Sequence, residues 1–111
     1  MAKSSSITEP GRKGRLRNPH PGEILRTGFL DEIRLSQNEL ARAIGVPPPR
    51  IHAIVHGTRN ITADTDLRLC RYFGLSEGYF LRLQNAFDTL EAKRRVATEV
   101  ARIKPYRAAA A

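Results

Sequence analysis

The sequence predicts an all-α domain of five helices, the last of them long. Three observations lead there. Apolar residues recur at helical spacing from Ile24 onward, and no stretch alternates as a strand would. Glycines at 45, 57 and 74 follow the periodic stretches as stop signals. The 111 residues, 41% hydrophobic and 27% charged, make one domain of ordinary globular composition.

Asn18-Pro19-His20-Pro21-Gly22 reads as a rigid entry, and Glu23 opens the first helix, with Ile24, Leu25, Phe29, Leu30 and Ile33 at helical spacing. Ser36-Gln37-Asn38-Glu39 is a capping box, in which Ser36 accepts from the Glu39 N–H and the Glu39 side chain returns to the Ser36 N–H. The second helix runs to Ile44 and stops at Gly45. Pro47 and Pro48 suit the lead-in and first turn of a third, where a missing N–H does no harm; it carries Ile51, Ile54 and Val55 and ends at Gly57. Thr62 is placed to cap a fourth helix, with Asp64 in its first turn and Leu67, Cys70 and Phe73 along one side up to Gly74. Ser76 is placed to cap a fifth, running from Glu77 to about Lys104, where Pro105 stops it. Phe80, Leu83, Phe87 and Leu90 form its first stripe, Val96, Ala97, Val100, Ala101 and Ile103 a weaker second one, and Glu91 with Arg95 an i,i+4 pair. So long a helix exceeds what one small core covers, so its second half is expected to pack on another chain.

Charge is unevenly distributed. The 15 Arg and 4 Lys outnumber the acids to give +8 overall: +4 over residues 1–20, +2 over 46–62 with no acid, +3 over 88–111, and near balance elsewhere. An arginine-rich excess favours an anionic partner, since guanidinium pairs with phosphate in a bidentate way. Residues 1–18 hold a serine run and Arg12-Lys13-Gly14-Arg15 with little apolar area. They read as a basic disordered tail, either a solvated one or an arm that touches phosphate. Residues 105–111, ending in four alanines, read as a frayed end. A single cysteine excludes an intramolecular disulfide and a multi-cysteine zinc site, and fits a reducing, intracellular home. Neither a secretory signal nor an apolar run of membrane-spanning length is visible, and no membrane partner is expected.

The segment 36–56 carries the functional signal. Two short helices are joined by Gly45-Val46-Pro47; Leu40, Ile44, Val46, Ile51 and Ile54 are apolar where a helix-turn-helix closes on its core, and Ala41 is small where the second helix approaches the first. Gly45 stands where the turn needs positive φ. That packing leaves the outer face of the second helix free, with Pro48, Pro49, Arg50, His52, Ala53 and His56 outward and Arg59 on its flank. A face without acids is suited to a groove lined by phosphates.

The stretch Leu35-Ser36-Gln37-Asn38-Glu39-Leu40-Ala41, Gly45-Val46-Pro47-Pro48, Arg50-Ile51, Ile54-Val55-His56-Gly57 and Ile61-Thr62-Ala63-Asp64-Thr65 resembles the HigA antitoxin family, a group of Xre, or Cro/C1-type (lambda-repressor-like), helix-turn-helix proteins. His20-Pro21-Gly22-Glu23-Ile24-Leu25 is similar to the family's opening, and Gly74-Leu75-Ser76-Glu77-Gly78-Tyr79-Phe80-Leu81-Arg82-Leu83-Gln84 to its later segment. Pro49 departs from the polar residue common there, and Gly78-Tyr79-Phe80 from a more acidic, Trp-containing version. The resemblance, over about residues 19–91, implies a dimeric repressor of its own operon that neutralises a HigB-like ribonuclease toxin. It implies a DNA contact for Gln37 at the start of the first motif helix, and groove-facing roles for Pro48, Pro49, Arg50 and Ala53. No residue matches a toxin contact.

Other chemistry finds little support. His52 and His56 share a face at i,i+4, but no glutamate follows His52 and no third ligand stands at a familiar spacing, so no metal site is expected; a histidine near phosphate is the better reading. Cys70 reads as a buried, inert thiol. No nucleophile elbow, phosphate-cradling glycine loop or metal-spaced carboxylate pair points to an enzyme, and no cofactor is expected. The expectation is a cytoplasmic, nucleoid-associated repressor and antitoxin, with residues 19–104 as its domain and DNA-binding residues Gln37, Pro48, Pro49, Arg50, His52, Ala53, His56 and Arg59. It is expected to act as a homodimer on two half-sites of double-stranded operator DNA, joined mainly through residues 90–104. A stand-alone Xre regulator, and a protein-interaction module with a vestigial helix-turn-helix, are the alternatives.

Overall fold

His20 sets the start of the first helix. Its backbone is extended, and its Nδ1 accepts from the Gly22 N–H at 2.9 Å, so α1 begins at Pro21 rather than at Glu23. In the computed structural model, which describes residues 16–107, α1 (Pro21–Leu25) passes without a break through a π-helical turn (Arg26–Leu30) into α2 (Asp31–Ile33). This run forms the first of five helical bodies. The others are α3 (Gln37–Ile44), α4 (Pro48–Val55), α5 (Ala63–Phe73) and α6 (Tyr79–Ala101), and no strand occurs among the described residues. The π turn contains Gly28 and a Thr27 hydroxyl that donates to the Glu23 carbonyl, local features that loosen an α-helical ladder. Phe29, within it, meets the rings of Phe73, Tyr79 and Phe80.

Ser36 and Glu39 form the expected capping box, at 3.0 Å and 2.8 Å. The Ser36 N–H, and then its hydroxyl, hold the Glu39 carboxyl below its usual value. A depressed carboxyl contributes stability that is present above its unfolded value and is lost as pH falls through the folded one. Ser36→Ala is expected to cost about 1 kcal/mol, read as a lower urea midpoint with an unchanged slope. Gly45 and Gly74 end α3 and α5 in the left-handed region, at φ +73° and +72°.

Leu40, Ala41, Ile44, Val46, Ile51 and Ile54 are all buried, as the helix-turn-helix pattern requires, and join Leu25, Leu30, Ile61, Leu69, Cys70 and Phe80 in one core. Two apolar expectations fail. Ile33, the last residue of α2, and Leu67 are half exposed; Leu67 is so because α5 turns Thr65, Asp66, Leu69 and Cys70 inward instead. Asp66 is 1% exposed yet fully engaged. Its carboxylate accepts from the backbone N–H groups of Gly78 (2.7 Å), Phe80 (2.8 Å) and Leu81 (3.1 Å) and faces the Cys70 thiol. It therefore does for α6 what Ser76 was expected to do, and α6 starts at Tyr79 behind Gly78 at φ +93°. Thr62 stands at the N-cap of α5 but makes no side-chain cap bond. Gln84, also buried, accepts from the Ile61 N–H at 2.8 Å and donates to Asp88.

The expected tail reaches further into the fold than its composition predicts. Asn18 Nδ2 donates to the Phe87 carbonyl and to Glu91, Arg94 donates to the Leu16 carbonyl, and Arg17 pairs with Glu23. Residues 16–18 thus lie along α6, and Glu91, expected to pair with Arg95, accepts from Asn18 instead. Residues 1–15 of the expected tail and 108–111 of the expected frayed end lie outside the described residues. The last helix ends at Ala101, not Lys104, and Val96 leaves helical geometry within it (φ −116°, ψ 22°). Beyond Leu90 it leaves the core, and Lys93, Ala97, Val100 and Ala101 line an apolar groove of about 280 Å³ on it. No described helix is long and apolar enough to cross a membrane.

Candidate nucleic-acid interface

The turn between α3 and α4 is locked by backbone bonds. The Gly45 N–H reaches the carbonyls of Ala41 and Arg42, the Val46 N–H returns to the Ala41 carbonyl at 3.0 Å, and Val46 plugs the corner. Pro47 then caps α4 in an extended conformation and Pro48 takes its first position. Ile51 and Ile54 anchor α4 on the core. With two sides tied down, its remaining face is fixed in space.

That face presents Pro48, Pro49, His52 and His56, all exposed, with exposed Arg59 in the loop behind. Arg50 and Ala53, expected to point fully outward, are half-buried. Arg50 leans toward α5: its Nη1 donates to Asp64 at 2.9 Å, and its Nε is enclosed without a hydrogen-bond partner. The Ala53 carbonyl accepts from the Thr58 N–H and hydroxyl, which turns the chain toward Arg59. His52 Nε2 donates to Asn38 Oδ1 at 2.9 Å, bridging α4 to the first turn of α3, and His56 Nδ1 donates to the His52 carbonyl at 2.8 Å. The two histidines are thereby committed to different partners, and no cluster of three or more His, Cys, Asp or Glu that could hold a metal occurs among the described residues. Gln37, the first residue of α3, is half-buried with an enclosed side-chain oxygen that has no partner. Beside it lies a groove of about 380 Å³ whose walls include Arg26, Asn38 and His52.

Between Val46 and Thr62 the only formal charges are Arg50 and Arg59. Two acids border the face: Asp31 lines the groove shared with His52 and pairs with Arg26 at 3.4 Å, and Asp64, beside Arg50, is paired with two arginines. Arg68, through Nε at 3.1 Å and 3.3 Å, and then Arg50 hold its carboxyl below the usual range. Arg68 also donates through Nη1 to the Ile44 and Gly45 carbonyls, at 2.8 Å and 3.2 Å. The result is an outer face of α4 that is held in place and carries no acid of its own.

A helix-turn-helix family model matches residues 30–80. Virulence-associated protein I of Dichelobacter nodosus is 48% identical over 79 residues, 71% of this chain and 73% of that protein. The antitoxin HigA of Pseudomonas aeruginosa, solved with the higBA promoter, is 38% identical, covers 82% of this chain and 100% of its own, and superposes with a TM-score of 0.77. A HigA-family addiction module antidote protein from Coxiella burnetii gives the same identity, coverage and TM-score. The chain belongs to the HigA family of Xre-type helix-turn-helix antitoxins.

In this HigA-family chain, Gln37 stands at the α3 start where the family resemblance places it, and Pro48 and Pro49 occupy the leading corner of α4. Sequence reasoning missed Asn38, which orients His52, and the Asp64–Arg68 pair. The pair carried a signal, an acid and a base four apart on one helix. The Asn38–His52 and Arg50–Asp64 bonds each span 14 residues and carried none.

Proposed function

We propose that this chain is a DNA-binding repressor that acts as the antitoxin of a HigB/HigA-type module, repressing its own operon and neutralising a ribonuclease toxin. The observation that carries the reading is the exposed, acid-free face of α4, held between the Gly45 turn and the core. In this reading Pro48, Pro49 and Ala53 make close apolar contact with base edges, Arg50 supplies the guanidinium, and Gln37, His52, His56 and Arg59 hold the backbone. Repression needs no chemical step, so the protein is no enzyme. It works where operator DNA is, in the cytoplasm on the nucleoid. Kinship with a HigA solved on promoter DNA supports the reading.

Specificity over a genome calls for two half-sites, hence two copies. The apolar groove at Lys93, Ala97, Val100 and Ala101, with exposed Ile103 beyond it, favours joining through residues 90–104. Light scattering should then give a dimer for the full chain and a monomer for a chain ending at Leu90; a dimer in both would move the interface elsewhere. A gel shift with the DNA upstream of the chain's own reading frame should be competed by that DNA and not by a scrambled duplex. Equal competition by both would remove the repressor reading. Co-expression with the neighbouring reading frame tests the toxin: a product that arrests growth alone, and co-purifies with this chain when harmless, is the expected result. If no such product exists, a stand-alone Xre-type regulator is the second reading, in keeping with kinship to the HTH-type transcriptional regulator YddM of Escherichia coli (strain K12), 32% identical over 87 residues.

A further inference from the structure

Arg50 is the only arginine on α4 (PPRIHAIV), so it is the one side chain there able to read a guanine edge in a bidentate way. It is not free to swing. Asp64 holds Nη1 from the α5 side, and the enclosed Nε removes a further direction of movement. Asp64 is itself held by Arg68, whose Nη1 is fastened to the two carbonyls at the α3 turn. A single chain of bonds therefore runs from the Ile44 and Gly45 carbonyls through Arg68 and Asp64 to Arg50. An acid paired with a DNA-facing arginine offsets positive charge that phosphate would otherwise meet and so lowers affinity for any duplex, and an exposed ion pair adds little stability. Orienting a planar guanidinium is a gain that such a placement does provide.

We propose that Asp64 is a positioning residue for operator recognition: anchored by Arg68, it fixes the plane of the Arg50 guanidinium so that Arg50 reads a base edge rather than whichever phosphate lies nearest. Without the carboxylate, Arg50 behaves as a mobile charge, which binds all DNA better and the right DNA less selectively. The inference rests on the proposed reading that α4 meets DNA.

The test uses the full-length protein, its own operator duplex and a scrambled duplex of the same length, over a series of salt concentrations. Asp64→Asn is expected to lower the operator-to-scrambled affinity ratio about tenfold, roughly the selectivity of one bidentate base contact. It is also expected to strengthen binding to the scrambled duplex and to steepen its salt dependence by about one phosphate contact. Asp64→Ser, which also keeps a polar residue in the first turn of α5, gives the same shift, so a folding defect in one variant leaves the other to decide. Arg50→Ala loses the same selectivity, and the Asp64→Asn/Arg50→Ala double variant matches Arg50→Ala alone. Equal weakening on both duplexes, an unchanged ratio, or additive losses in the double variant would overturn the positioning role. A wild-type chain with no operator preference would instead sink the repressor reading itself.

Discussion

Asp66→Ala is expected to bring the protein close to unfolding. The Asp66 carboxylate is the acceptor for three backbone N–H groups at the start of α6, one of them fully buried, and among the described residues it is the only side chain capping that end. Each buried donor left without an acceptor costs about 1–3 kcal/mol, so the loss amounts to about 4 kcal/mol, a large part of the 5–15 kcal/mol typical of a domain. The melting temperature should fall by about 15–25 °C. Asp66→Asn retains one acceptor oxygen but turns an amide NH2 toward backbone donors, and is expected to fall between the two. A drop of only a few degrees for Asp66→Ala would mean that water or another group replaces the carboxylate. The loss should reach function too, because α6 carries the proposed dimer contact.

Gly22→Ala is expected to have the second largest effect. A Cβ at Gly22 would lie 1.7 Å from the Ile54 carbonyl oxygen and 2.6 Å from its carbon, inside any tolerable contact. The obstacle is backbone, not a side chain that can rotate away, so α1 and the end of α4 must separate. Overpacking of this kind costs about 3 kcal/mol, read as a fall of about 10–20 °C in melting temperature. Since α4 is the element that moves, binding to the chain's own operator should weaken by more than the loss of folded protein accounts for. Gly28→Ala is the control: its Cβ would meet only an Ile24 methyl at 3.9 Å, and replacing a helical glycine there should be neutral or stabilising. Similar melting temperatures for the two variants would contradict the close approach.

The helix-turn-helix was legible in the sequence because its determinants are local. The Ser36–Glu39 capping box, the left-handed turns at Gly45 and Gly74, and the spacing of Leu40, Ala41, Ile44, Ile51 and Ile54 each depend on neighbours within a few residues. Pro49, His52 and His56 are outward for the same reason: once Ile51 and Ile54 face the core, helical geometry turns these residues away from it, while Pro48 is exposed as the first residue of α4.

Tertiary structure decided the rest, wherever a residue's role depends on a partner distant in sequence. Helical periodicity alone placed Leu67 in the core and could not register that Asp66, one position away, would be drawn inward by N–H donors 12 to 15 residues later. Gly22 reads as a turn residue until α4 is laid against it. Arg50 reads as an outward base contact until α5 brings Asp64 to 2.9 Å. Residues 16–18 read as tail until α6 offers them the Phe87 carbonyl and Arg94. In each case the deciding quantity is a close approach between elements. That distance is set by packing of the whole core, and no local propensity encodes it.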